Sequence, residues 1–160
     1  MVVLTLTTGC VAVREPDRKS SSQVEAQAGR LVAEYSISID ADYDPRLDDL
    51  IPGYKLLPVS FRNMSLRSIP MDVKRDRWVV VGEKGKRYRA VNSLRVKDPK
   101  IWRELPEDLR SLIDYPELVP INYSVTFDLL LPKKANLDYF REIRYTSVPL
   151  GLEFVIEKEY

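Results

Sequence analysis

The sequence predicts an all-β fold, an antiparallel β-sandwich with one short helical excursion, on three observations. Apolar and polar residues alternate with period two through six or seven short segments, 11 prolines punctuate them, and a single stretch carries helical spacing. At 160 residues the chain is long enough for one domain with a substantial core.

The elements follow in chain order. Residues 31–40, LVAEYSISID, put Tyr35, Ile37 and Ile39 on one face and Ser36 and Ser38 on the other, as in a half-buried strand. Residues 55–63, KLLPVSFRN, repeat the pattern with Leu57, Val59 and Phe61 inward. Pro58 has no N–H to give a ladder, so it predicts an edge position or a bulge. Residues 77–91, RWVVVGEKGKRYRAV, read as a hairpin turning at Gly82 to Gly85. In residues 121–132, INYSVTFDLLLP, Tyr123, Val125, Phe127, Leu129 and Leu131 share a face. Residues 142–148 and the alternation of Leu152, Phe154 and Ile156 complete the set. The helix is expected with Pro106 in its first turn, Glu107 and Asp108 near its positive end and Leu109, Leu112 and Ile113 at helical spacing, until Pro116 stops it. Trp102 is expected to pack this excursion against the sheet edge.

Residues 50–91 run from an apolar strand ending in Asn63-x-Ser65, through a second strand, to a Gly-Lys hairpin. That order resembles the immunoglobulin-like, telokin-like domains of bacterial lipoproteins of unknown function. The resemblance implies an immunoglobulin-like sandwich that binds or scaffolds outside the cytoplasm. It brings no catalytic residues, and the Cys…Trp…Cys staple of antibody domains is missing.

The chain begins MVVLTLTTGC, and Cys10 is its only cysteine. Uncharged, apolar or small residues running into Gly9-Cys10 resemble the end of a bacterial lipoprotein signal, in which a cysteine after small residues is acylated. Thr7 stands where such a box carries leucine, and no basic residue precedes the apolar run. The competing expectation makes residues 2–7 the first strand of a cytosolic domain. Residues 11–30 are polar, include Ser20 to Ser22 and have no sustained apolar period, which predicts a flexible tether. The expected organisation is therefore a signal-like segment at 1–9, a tether at 10–30 and a sandwich at 31–160. Acylation of Cys10 by two or more chains gives a stable anchor. No other apolar run approaches the ~20 residues of a membrane span, so the only membrane contact expected is the lipid. The expected location is the cell envelope; the resemblance to Gram-negative lipoproteins implies that, in such a cell, Val11 in place of an aspartate after the cysteine favours the outer membrane over retention in the inner one.

Composition narrows the chemistry. The chain has no histidine, which excludes Ser-His-Asp and Cys-His pairs and histidine metal ligation, and one cysteine forms no internal disulfide or thiolate cluster. A net charge of +1 argues against nucleic acid as a partner. The expected function is non-enzymatic binding of a protein or envelope component, without a cofactor. The alternatives are a carboxylate-dependent, carbohydrate-active enzyme and a Ca²⁺-stabilised adhesion-type module.

For the last, Asp40, Asp42, Asp44 and Asp48 fall at positions one, three, five and nine of a calcium loop, but Pro45 replaces the required glycine and Ile51 the bidentate glutamate. Asn63-Met64-Ser65 and Asn122-Tyr123-Ser124 match the glycosylation pattern, expected here as chance matches in a turn and a strand. Tyr43, Tyr54 and Tyr115 are candidates for a recognition patch. Residues 97–120, with Trp102, Arg103, Glu107, Arg110 and Tyr115, are the candidate partner surface, the alternative being that they cap an open end of the sandwich.

Overall fold

Two antiparallel sheets face one another, as the alternation requires. The structure, a computed structural model, describes the backbone of Val11–Arg14 and residues 35–158. In chain order the strands are β1 (Val11–Arg14), β2 (Ile37–Ala41), β3 (Tyr54–Asn63), β4 (Ile69–Pro70), β5 (Arg77–Gly82) and β6 (Arg87–Arg89). Three short helices follow, α1 (Leu94–Lys97), α2 (Pro99–Glu104) and α3 (Glu107–Leu112), and then β7 (Leu118–Val119), β8 (Ser124–Pro132), β9 (Phe140–Ser147) and β10 (Leu152–Glu157). The larger sheet has the order β1-β10-β9-β5-β6, the smaller β2-β3-β8, and β4 pairs with β7 in a two-residue ladder. A bridge between Val91 and Leu130 ties the chain leaving β6 to β8.

The expected inward sets fill the space between the sheets. Leu57, Val59 and Phe61 are fully buried, as are Trp78, Val80, Tyr145 and Leu131. Phe61 meets Trp78 and Tyr145 edge-on at 6.2 and 5.5 Å, while Tyr145 stacks between Trp78 and Phe154. Such pairs add to the area term of burial.

Pro58 lies in the middle strand of the smaller sheet rather than at an edge. Its tolerance there is geometric. The β2 ladder ends at Ala41 opposite Val59, and the Asp42 N–H gives a last bond of 3.3 Å to the Pro58 carbonyl. A residue's N and O point to the same side of a strand, so the missing donor faces the place where the partner has run out.

The helical excursion holds three helices where periodicity marks one. Asp98 caps α2, accepting from the Ile101 N–H at 3.2 Å with Pro99 behind it, a start signal of four residues too short to carry an apolar period. The helices lie over the outer face of the smaller sheet, not at its edge. Leu56 and Leu130, register partners on that face, join Leu94, Leu105, Ile113 and Ile51 in a second apolar cluster that Trp102 and Leu109 flank.

Cys10, residues 1–9 and most of the 10–30 segment lie outside the described residues. Within that segment Val11–Arg14 is an edge strand, paired so that Val11 stands opposite Ile156 and Arg14 opposite Glu153.

A candidate partner-binding end

The strand directions give the sandwich two ends of different character. At one, β2, β5, β8 and β10 finish, and the β5–β6 turn projects Lys84, Lys86 and Arg87, all exposed. Gly85 closes this turn at φ +75°, a left-handed conformation that favours glycine, while the Gly82 N–H bonds the Lys86 carbonyl at 2.8 Å. An open groove of about 740 Å³ runs along the larger sheet here, lined by Arg87, Arg141, Arg144, Glu142, Glu157 and Lys158 among others. Its charges interleave. Arg144 pairs with Glu142, and Lys158 reaches the Ala41 carbonyl at 2.6 Å and Asp42 at 3.6 Å, so no single sign dominates the groove.

The four aspartates expected as a calcium set lie towards this same end and do not converge. Asp40 points outward from β2. Asp42 is exposed and pairs with Lys158. Pro45 begins a single 3₁₀ turn, and Asp44 caps it through the Arg46 N–H and binds the Arg46 guanidinium at 2.8 Å, which holds the carboxyl below its usual range. Asp48 accepts from Tyr43 Oη at 2.7 Å and pairs with Lys55 at 3.3 Å. Among the described residues no three carboxylates group as metal ligands.

At the opposite end β3 and β9 finish, and two loops carry large apolar side chains into solvent. On residues 64–68 these are Met64 and Leu66, on residues 118–123 Leu118, Ile121 and Tyr123; Leu66 is 88% and Tyr123 66% exposed. Tyr123 was expected to face the core with Phe127. It does not, because Asn122 adopts φ +58° and turns the chain before β8 begins at Ser124. An exposed cluster of this kind is the informative departure from ordinary surface composition.

A buried polar knot fixes the two loops. Asn63, fully buried, donates from Nδ2 to the carbonyls of Arg67 at 2.8 Å and Val119 at 3.0 Å, one on each loop, and its Oδ1 accepts from the Ser65 N–H at 2.8 Å. Ser65 Oγ accepts from the Ser36 N–H at 2.7 Å and donates to the Ser36 carbonyl at 3.0 Å. The amide nitrogen of the first glycosylation-like site is thus consumed inside the fold.

A second knot lies at the same end, just before β5. Asp76, 2% exposed, receives the Tyr115 and Tyr145 hydroxyls at 2.9 and 3.0 Å and the Asp72 N–H at 2.8 Å, all on Oδ2. The Trp78 indole N–H completes the chain by donating to Tyr115 Oη at 2.9 Å. Burial, the largest influence, raises the Asp76 pKa against these donors and a nearby Val148 amide, although Oδ1 has no hydrogen-bond partner. Burial likewise pushes both tyrosines up.

Of the expected partner residues, Tyr115 is therefore an interior group rather than a surface one. Arg110 is half-buried and committed: it donates to the carbonyls of Trp102 and Arg103 and lies 5.6 Å over the Trp102 ring. Arg103 and Glu107 are exposed. Trp102 and Tyr115 do meet one feature, a cleft of about 240 Å³ between the helices and the 71–73 and 114–117 segments, which includes Asn92 and Asp114 in its lining. Tyr43 and Tyr54 sit half-buried at the charged end, apart from Tyr115.

Sequence reasoning missed Leu66, Ile121 and Tyr123. For Leu66 the available signal was an apolar residue set among Asn, Ser and Arg in NMSLRS, off the alternation of Leu57, Val59 and Phe61; Ile121 and Tyr123 keep the phase of Val125 and Phe127, so the alternation itself hid them. The two carboxyls raised by burial, Asp76 and Asp128, do not share a surface: Asp76 lies within the fold, and Asp128 sits among the outward-facing positions of β8. Among the described residues no helix is long and apolar enough to cross a membrane. Comparison of the chain with family models, curated proteins and solved structures gave no match.

Proposed function

We propose that the protein is a non-enzymatic binding module of the cell envelope, held by lipid on Cys10, which grips a protein partner through its apolar end. The observation that carries the reading is the exposure of Leu66, Tyr123, Leu118, Met64 and Ile121 on loops that Asn63 fastens from within. Apolar side chains in fixed positions lose little entropy on docking, so area removed from water converts more fully into affinity.

The strand register supports the anchor and the partner face acting together. Cys10 is bonded to Val11, and Val11 stands opposite Ile156, at the charged end. A lipid there directs Leu66 and Tyr123 away from the bilayer. In a Gram-negative cell that bilayer is the outer membrane.

Two measurements test the proposal separately. Mass spectrometry of the membrane fraction, expressed from the native gene, should find Cys10 acylated; an unmodified Cys10 in a soluble cytosolic protein overturns the anchor. A photo-crosslinking residue at position 66 should form a discrete adduct in the native host, and one at position 84 should not. Equal labelling from both positions overturns the assignment of the partner face.

A further inference from the structure

The groove along the larger sheet is of mixed sign, but the hairpin that borders it is not. β5, β6 and their turn, residues 77–89, carry Arg77, Lys84, Lys86, Arg87 and Arg89 against one acid, Glu83. The whole chain nets only +1, so the remainder is negative and the positive excess is concentrated here. All five cations are exposed, and none forms an ion pair among the described residues. Lys84, Lys86 and Arg87 stand at the tip. The tip is braced: a Cβ on Gly82 would lie 3.6 Å from the Asn136 carbonyl, so the β8–β9 connection packs beside it. That connection adds Lys134 and Tyr139, both exposed, and β9 adds Arg141; Tyr139 and Arg141 line the groove with Glu83 and Arg87. The exposed acids of this corner, Glu83, Asp138 and Glu157, are fewer than its cations.

The route of the chain is an independent observation. β1 and β6 are the outer strands of this sheet, and β1 begins at the same end as the tip. Val11 stands opposite Ile156, and the residues that follow Ile156, Glu157 and Lys158, line the groove. Four strand spacings separate β1 from β6 by about 20 Å. A bilayer held at Cys10, one residue before Val11, therefore meets the hairpin tip as its second point of contact.

We propose that the β5–β6 tip, with Arg141 and Tyr139 beside it, docks on an anionic lipid surface. Lys84, Lys86, Arg87 and Arg141 face the headgroup phosphates, and the Tyr139 ring, 62% exposed, lies at headgroup level. Clustered Lys and Arg gain from the negative surface potential, and an aromatic ring with a polar tip suits the boundary between lipid and water. Nucleic acid offers phosphates too, but nothing in the route of the chain brings one to this end. Contacts at β1 and at the tip together fix the tilt of the sandwich and hold Leu66 and Tyr123 outward. The placement rests on the anchor reading; the affinity for anionic lipid does not.

The test is vesicle sedimentation of the full chain carrying Cys10→Ala, so that no acyl chain contributes. Phosphatidylcholine vesicles with about 30% phosphatidylglycerol should bind it at least tenfold more tightly than pure phosphatidylcholine at about 20 mM salt, and the difference should vanish at about 500 mM. Lys84→Glu with Lys86→Glu should abolish the preference. Lys97→Glu with Lys100→Glu, an equal change of net charge on the exposed face of the helices, should lower binding by no more than about twofold. Tyr139→Ala should weaken it severalfold. Equal binding to the two vesicles, or equal losses from the two charge reversals, overturns the proposal. Should a reversal misfold, the vesicle and salt comparisons on the parent chain decide. Tighter binding of a duplex oligonucleotide than of the anionic vesicles, at equal phosphate, overturns the lipid assignment in favour of nucleic acid. An unmodified Cys10 in the native host with the anionic preference intact removes the anchor alone, whereas an acylated Cys10 without that preference removes this docking alone.

Discussion

The two ends of the sandwich are held by different physics. At the charged end the fastenings are ion pairs: Asp49 to Lys133 at 2.6 Å and Asp44 to Arg46 at 2.8 Å near water, and Lys55 to Asp48 at 3.3 Å, half-buried. At the apolar end they are hydrogen bonds inside the fold, centred on Asn63 and Asp76, both almost wholly buried. Exposed pairs are screened and contribute little, whereas a buried group deprived of its partner incurs its full desolvation cost. The end that shows most hydrophobic surface is therefore the one whose loops are most firmly set. Loops that bare Leu66 to solvent without such a knot would collapse onto the sandwich to hide it.

The largest break in that contrast comes from Asn63→Ala. It strands the carbonyls of Arg67 and Val119 and the Ser65 N–H together, and urea denaturation should record a loss of about 3 kcal/mol. Solvent reaching the opened loops would reduce the loss, and a value near zero would mean that the knot does not hold them.

Asp128→Asn acts in the opposite direction. This carboxyl is 8% exposed, its pKa is raised by desolvation, and no hydrogen bond reaches it among the described residues. A carboxyl raised in the folded state binds its proton more tightly there than in the unfolded chain, so its contribution to stability is fullest below the ordinary 3.8 and is lost as pH rises through the folded value. The substitution should stabilise by about 1 kcal/mol at neutral pH and not at all near pH 3, read as melting temperature against pH. Asp76 has the same sign, so the wild type should lose stability relative to Asp76→Asn over the same rise in pH.

Leu66→Asp should leave stability within about 0.5 kcal/mol, because the side chain is already in water, while removing the partner adduct. The smallest effect belongs to Lys133→Ala. Its pair with Asp49 is exposed on both sides, and neither the melting temperature nor its salt dependence should change measurably.

The strands were legible because burial on one face leaves a period of two, and Ile37, Leu57, Phe61, Leu129 and Phe154 are buried where that period puts them. The two knots were not. Asp76 stands in MDVKRDRW, where it reads as one more solvated charge, and its partners Tyr115 and Tyr145 lie 39 and 69 residues away in the chain. Asn63 surfaced only as a modification pattern, since nothing local reveals that its amide bonds Val119, 56 residues on. The aspartates of residues 40–48 had the spacing of a metal loop, yet Pro45 set a 3₁₀ turn and nearby cations took three of the carboxylates. Long-range pairing and local competition leave no period to read.

Native-state hydrogen exchange tests the preformed apolar end most directly. The N–H groups of Asn63, Met64 and Ser65 are bonded to the Tyr123 carbonyl, the Ser36 carbonyl and Asn63 Oδ1 at 2.9, 2.9 and 2.8 Å. They should exchange as slowly as the central strand amides of β3, whereas Leu47 and Asp48 in the exposed 3₁₀ turn exchange faster. Exchange at positions 63–65 as fast as at 47–48 would make the loops mobile and contradict a partner face fixed in advance.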